Sequence, residues 1–292
     1  MHQNLFHLPS RLDEISLPVL EKAGVRLFLK RDDLIHPEIS GNKWRKLKFN
    51  VAEAKNQNKN NILTYGGAFS NHIYATAAAC KLLGMQSVGV IRGNNFKTLS
   101  HTLQFAESCG MKLKFTSREE FETRRNVEFK EALHLEFGDF FDVPEGGANA
   151  LGVKGCEEVV AEIDIPYDMV AVACGTATTF RGIVNQLPET KTALGFPALR
   201  HNGSLNDAMA GVGKANWQFV DDYHFGGYAK VTDELRTFWK EFRQETGIEL
   251  DLVYTAKMMF GLLDLVGKGY FKPGTTVVAI HTGGLQGNKL LG

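Results

Sequence analysis

The chain has 292 residues, with 33 basic and 33 acidic side chains and a hydrophobic fraction of 43%. That length carries one large α/β unit or two lobes with separate cores, and the composition is that of an ordinary globular protein rather than a disordered, fibrous or membrane chain. A formal net charge of zero offers no long-range attraction to nucleic acid or an anionic membrane, so the expected partner is a small molecule.

In chain order, the opening MHQNLFHLPSRLDEI lacks a basic segment followed by an apolar run. No later stretch is long and uncharged enough to span a bilayer, and a cytoplasmic location is expected. RLFLKRDDL reads as a strand. Ser40-Gly41-Asn42-Lys43 then precedes a helix whose Trp44, Leu47 and Val51 share an apolar face, with Ser40 or Asn42 placed as its cap. Lys43 falls in or beside the first turn, where the positive end of the helix dipole disfavours an ammonium and leaves more neutral amine to attack an aldehyde. A solvated surface lysine gives the same local pattern.

From residue 60 apolar runs alternate with helical patterns: NILTY and a helix from Ser70, SVGVIRG and a helix through Leu103, KLKFT and a long charged helix over 118–137, then FFDVP. A second set follows with VAEI, MVAVACG, a helix from Thr178, TALGFPAL and the final TTVVAIHTGG. The rhythm predicts parallel sheets. We expect a small lobe over 51–150 and a large, discontinuous one from 1–50 and 151–292, with RLFLKRDDL in the large one. Cys80, Cys109, Cys156 and Cys174 show neither a CxxC pair nor zinc spacing, so each is expected as a reduced, packed thiol and no metal is expected.

Several strand-to-helix turns carry the chemistry. Gly66-Gly67-Ala68-Phe69-Ser70-Asn71-His72 lets backbone approach a ligand and offers a helix N-terminus to a carboxylate, although Ser70 alone is also a plain N-cap. Cys174-Gly175-Thr176-Ala177-Thr178-Thr179 gathers small residues and hydroxyls where backbone N–H groups can cradle a phosphate. It matches neither GxxxxGK[ST] nor GxGxxG, so a phosphate monoester is favoured over a nucleotide. His281-Thr282-Gly283-Gly284 closes the last strand, at the edge where open α/β sheets bind ligands. Tyr254 and Tyr228 fit either a cleft lining or half-buried anchors.

Taken in order, SGNK, SNH, PEGGANALG, CGTATT, VYTAK and HTGG resemble the 1-aminocyclopropane-1-carboxylate (ACC) deaminase and D-cysteine desulfhydrase family, from about Lys30 to Gly284. The resemblance implies a pyridoxal phosphate (PLP) enzyme of fold type II: α/β, two open parallel-sheet lobes with the cofactor in the cleft between them, assembled as a homodimer. It implies Lys43 as the Schiff-base lysine, Asn71 on the cofactor's phenolic oxygen, and Gly175, Thr176, Ala177, Thr178 and Thr179 on its phosphate. Thr282 stands where ACC deaminases carry glutamate and His281 where they carry tyrosine, which is the desulfhydrase pattern.

A hydroxyl partner makes the pyridine ring a weaker electron sink than a carboxylate would, which suits loss of an acidic α-hydrogen and a thiol leaving group of pKa near ~8.5. The expected reaction is D-cysteine to pyruvate, sulfide and ammonia. Ser70, Asn71 and His72 would hold the carboxylate, Lys43 or Ser70 would act as base, and Tyr254 with Tyr228 would line the substrate side. Phe69 replaces the family's usual glutamine, Ile73-Tyr74-Ala75 a more polar stretch, and Ala177 and Thr178 its glycines. ACC deamination to 2-oxobutyrate is the alternative within the family, β-replacement another on the same fold type, and a catalytically silent PLP or amino-acid binder the alternative outside catalysis.

Overall fold

The computed structural model describes residues 5–94 and 98–290. In chain order the elements are β1 (Leu12–Ile15), α1 (Pro18–Ala23), β2 (Arg26–Lys30), α2 (Asn42–Asn56), β3 (Asn61–Gly67), α3 (Asn71–Leu82), β4 (Gln86–Arg92), α4 (His101–Ser108), β5 (Lys112–Thr116), α5 (Arg118–Glu122) and α6 (Val127–Phe137). They continue with β6 (Phe141–Val143), α7 (Ala150–Ala161), β7 (Met169–Cys174), α8 (Thr178–Gln186), β8 (Thr192–Pro197), α9 (Ser204–Ala208), β9 (Trp217–Phe219), α10 (Asp233–Thr246), α11 (Thr255–Gly267) and β10 (Thr276–Ile280). The chain forms two compact units, one from residues 1–42 and 153–292 and one from 43–152. All of α2 after Asn42 therefore groups with the second unit, whereas the sequence pattern suggested a break near residue 50.

The first unit is built on a six-stranded sheet of order β1-β2-β10-β7-β8-β9. Every pairing is parallel except that of the edge strand β1, which runs antiparallel to β2. The central strand β10 has all five residues buried, as a strand covered on both faces requires, and its β-branched residues suit the pleat. Alternation along the strands divides the core. Leu27, Leu29, Ala171, Ala173, Val277 and Ala279 face a cluster with Leu20, Trp239, Met258 and Leu262, whereas Phe28, Val170, Val172, Val278 and Ile280 face Val159, Phe180 and Ile183. Burying each large aliphatic side chain is worth about 1.5–3 kcal/mol, so these two layers fix which face each strand residue presents.

The second unit is a four-stranded parallel sheet of order β5-β4-β3-β6. Leu63, Tyr65, Val88 and Val90 pack with Phe121, Leu133 and Phe140, and Ile62 packs with Val51, Ala54 and Cys80.

Two sequence expectations are corrected. The charged stretch 118–137 forms α5 and α6 rather than one helix: Ser117 Oγ accepts from Glu120 N to start the first. Thr123 Oγ1 donates to Glu120 O and Arg124 Nη1 to Phe121 O, taking up the carbonyls on which the helix would continue. VAEI is not a strand. Cys156, Val159 and Val160 are buried at helical spacing, so α7 runs on to Ala161 and Glu162 pairs with the buried Lys30 at 3.1 Å.

All four cysteines are thiols; Cys80, Cys156 and Cys174 are buried and Cys109 is partly exposed. Burial pushes the Cys80 thiol up to about 12, with Ser87 opposing it. No helix among the described residues is long and apolar enough to cross a membrane.

Candidate active site

In the first unit three neighbouring parallel strands, β2, β10 and β7, send out functional segments from their C-terminal ends. Gly41 has φ +64, and a Cβ built there would stand 1.9 Å from the carbonyl oxygen of Thr282 and 2.7 Å from Gly283 N. A Cβ on Gly283 would in turn meet Ser40 Oγ at 2.6 Å. The backbones of Ser40-Gly41 and Thr282-Gly283 therefore touch, and only glycine permits it. The Gly41 N–H donates to Asp32 O at 2.7 Å. The next residue, Asn42, donates through Nδ2 to Thr179 Oγ1 at 2.9 Å, and Asn42 is bonded to Lys43.

His281 sits beneath this junction, fully buried. Its Nδ1 accepts the Gly283 N–H at 3.2 Å, so the proton must be on Nε2, which donates to Glu249 O at 2.8 Å. The ring is neutral, and burial depresses its basicity despite Asp33. Its 3.8 Å approach to Asp33 is therefore not an ion pair.

The turn after β7 holds the predicted phosphate loop. Thr178 and Thr179 are buried, Thr176 is exposed, and the Thr176 and Thr178 hydroxyls are 2.8 Å apart. Ala177 is in the left-handed region at φ +56 and precedes α8, so the first N–H groups of that helix lack intrahelical acceptors. A Cβ on Gly175 would lie 3.1 Å from Tyr254 Cε1. The half-buried Tyr254 thus packs across this loop; its N–H donates to Asp251 Oδ1 at 2.6 Å. The ring of Tyr228, which is half exposed, stands edge-on to that of Tyr254 at 6.1 Å.

In the second unit Lys43 is the second residue of α2, directly after Asn42, and β3 leads into Ser70, Asn71 and His72. Ser70 caps α3, its Oγ accepting the Ile73 N–H at 3.3 Å; that bond leaves the hydroxyl hydrogen available. A Cβ on Gly66 would come within 2.7 Å of Ser70 Oγ, so the glycine is needed for the approach. Asn71 is the first residue of α3, and Phe69 beside it is exposed.

His72, expected with Ser70 and Asn71 to hold a substrate carboxylate, has its ring N–H engaged within the protein. The Thr64 hydroxyl donates to Val143 O at 2.8 Å, so it must accept from His72 Nε2 at 2.9 Å. Nδ1 is then an acceptor, buried and without a partner among the described residues. Burial, with the charges of Lys43 and Lys46, pushes the imidazole down to about 3. Lys46 Nζ donates to Gly146 O at 3.2 Å, and a Cβ on Gly147 would meet Lys46 Cβ at 3.1 Å and His72 Cε1 at 3.4 Å. Asn50 and Asn149 exchange bonds at 2.7 and 3.3 Å. Lys46, Asn50 and the structural use of His281 escaped the sequence reading; the one available signal was their position within or beside SGNK, PEGGANALG and HTGG.

A family model described as "Pyridoxal-phosphate dependent enzyme" matches residues 9–283. The chain belongs to the PLP-dependent enzymes. It is 33% identical to an Arabidopsis thaliana protein named bifunctional D-cysteine desulfhydrase/1-aminocyclopropane-1-carboxylate deaminase, mitochondrial, over 97% of this chain and 78% of that one. It also resembles the crystal structure of an ACC deaminase homologue, with 29% identity, a TM-score of 0.84, and coverage of 98% of this chain and 94% of that one. A hydrogen sulfide-producing enzyme from Fusobacterium nucleatum, at 14% identity and TM-score 0.68 with 96% of each chain covered, shares the fold. This chain is thus a PLP enzyme of the ACC deaminase and D-cysteine desulfhydrase branch.

The residues present suit that cofactor. The hydroxyls of Thr176 and Thr178 and the open N–H groups of α8 are donors of the kind that would hold a phosphate monoester. Lys43 supplies a primary amine, and the fully buried Nδ1 of His72 is a polar atom that has no partner among the described residues. No group of His, Cys, Asp and Glu among the described residues is arranged to hold a metal ion.

Proposed function

We propose that the protein eliminates sulfide from D-cysteine, with one water taken up by the remaining enamine to give pyruvate and ammonia, and with Lys43 as its essential amine. When bound, PLP supplies an aldehyde that condenses with amines and a ring that withdraws electrons from the substrate's α-carbon. In this reading Gly175, Thr176, Ala177, Thr178 and Thr179 hold the phosphate, Asn71 meets the phenolic oxygen and Thr282 meets the ring nitrogen. The Ser70 hydroxyl and the Asn71 amide orient the substrate carboxylate at the mouth of α3, while Tyr254 and Tyr228 line the substrate side. His72 serves as an acceptor near Lys43 rather than as a carboxylate donor. Lys43 Nζ, or Ser70 Oγ, removes the α-proton as the thiol leaves the β-carbon.

The observation that carries the reading is the junction in front of Lys43. Asn42 is hydrogen-bonded to Thr179 and Gly41 lies against the Thr282 carbonyl, so the 175–179 turn, the 282–283 segment and the chain leading to Lys43 are tied together. A neutral threonine at 282 supports elimination over cyclopropane opening, because a hydroxyl withdraws less from the ring than a carboxylate.

Purified protein given D-cysteine and ACC separately tests this. Pyruvate from D-cysteine alone is the expected result, and 2-oxobutyrate from ACC overturns the choice of reaction. Borohydride reduction followed by peptide mapping should label Lys43, and Lys43→Ala should lose pyruvate formation by at least about 10³-fold. A homodimer in a cytoplasmic setting belongs to the same reading and is checked by sedimentation and cell fractionation.

A further inference from the structure

Lys257 lies on α11, three residues beyond Tyr254, and its side chain is buried. Its Nζ donates to Gly227 O at 2.8 Å, His224 O at 3.0 Å and Ala198 O at 3.1 Å. An ammonium has three N–H groups, so every one is used on main-chain carbonyls. The acceptors come from two loops. Ala198 follows β8, and its own N–H donates to Cys174 O at 2.9 Å, the residue before the Gly175 turn. His224 and Gly227 belong to the segment that delivers Tyr228.

That segment is strained. Its φ angles are +53 at Phe225, +88 at Gly226 and +132 at Gly227, and +54 at Ala229 beyond Tyr228. Left-handed backbone at non-glycine residues persists where the surroundings over-determine it, and here two of the fixed carbonyls belong to the strained turn. Carbonyl oxygens at 2.8–3.1 Å form an oxygen cage of the kind that replaces the hydration of a monovalent cation.

We propose that Lys257 is a positioning residue for the substrate side: its ammonium acts as a tethered monovalent cation that pins the 224–227 turn and so sets Tyr228 against Tyr254. This rests on reading those tyrosines as substrate-facing. Lys257 carries no chemistry itself; it places the rings that do the recognising.

The test uses the holoenzyme of Lys257→Ala, whose missing Cγ-to-Nζ segment is matched in shape by propylammonium, with neutral 1-propanol as the control. The expected result is retained visible absorbance of the bound cofactor, a KM for D-cysteine raised about 10- to 100-fold with a smaller change in kcat, and recovery of both KM and Tm with propylammonium but not propanol. Lys257→Met conserves volume and keeps the experiment interpretable if the alanine variant fails to fold; it should show the same rise in KM and no response to propylammonium. Unchanged KM in both variants, or a Tm of Lys257→Ala indifferent to propylammonium, overturns the proposal. If wild-type protein consumes neither D-cysteine nor ACC, the functional reading fails, while the thermal response still decides the cage.

Discussion

A methyl group added at Gly41 would lie 1.9 Å from the Thr282 carbonyl oxygen, on a backbone already at φ +64, so the residue faces two penalties at once. Left-handed strain costs about 1–2 kcal/mol for an alanine, and overpacking against backbone that cannot retreat adds about 1–3 kcal/mol. Gly41→Ala should therefore lower stability by about 2–5 kcal/mol, read from urea unfolding, and weaken cofactor binding in a titration of the apo-protein. Ala177 presents the reverse case. It is buried at φ +56, paying for a conformation that glycine adopts freely. Ala177→Gly should raise stability by about 0.5–1 kcal/mol, since the relieved strain exceeds the added freedom of the unfolded chain; an unchanged or lowered unfolding midpoint counts against this. His72 shows how one hydroxyl can set a ring's character: because Thr64 donates to Val143, the imidazole presents a lone pair at Nδ1.

At the scale of elements, the segment 281–284 after β10 is braced by the buried His281 ring, bonded to Gly283 N and Glu249 O, beside the main-chain bond from His281 N to Lys30 O. Removing the ring leaves an N–H and a carbonyl unsatisfied at about 1–3 kcal/mol each. His281→Asn, whose Oδ1 can replace Nδ1 as acceptor, should keep PLP affinity within a few-fold of wild type. His281→Ala should lose clearly more than Asn; equal losses in a fluorescence titration would argue that the ring merely fills space. The same scale explains what was legible in the sequence. The five buried residues of β10, the strand β7 and the helix starts at Ser70 and Thr178 follow from local periodicity and capping, which a linear reading captures. The break at 123–126 and the helical fate of VAEI did not, because side-chain bonds to carbonyls and the burial of Val159 and Val160 decided them. The Asn42–Thr179 bond spans 137 positions, a pairing no local pattern encodes.

Over the whole molecule, stability should carry the imprint of Lys257. Burial lowers its ammonium to about 8, with Asp251 opposing, while in the unfolded chain a lysine titrates near ~10.4. Between those values the unfolded state holds the proton that the native state has released, so stability rises with pH across that window and is lower below it. Urea midpoints measured near pH ~7.5 and ~9.5 should therefore climb more for wild type than for Lys257→Met; parallel changes would mean that the carbonyl cage already compensates for burial. The thiols have a further chemical consequence. With Cys80, Cys156 and Cys174 buried and Cys80 held protonated, these three thiols are shielded in the folded protein from thiol–disulfide exchange. Ellman's reagent should accordingly titrate Cys109 alone in the native state, and all four cysteines only after denaturation.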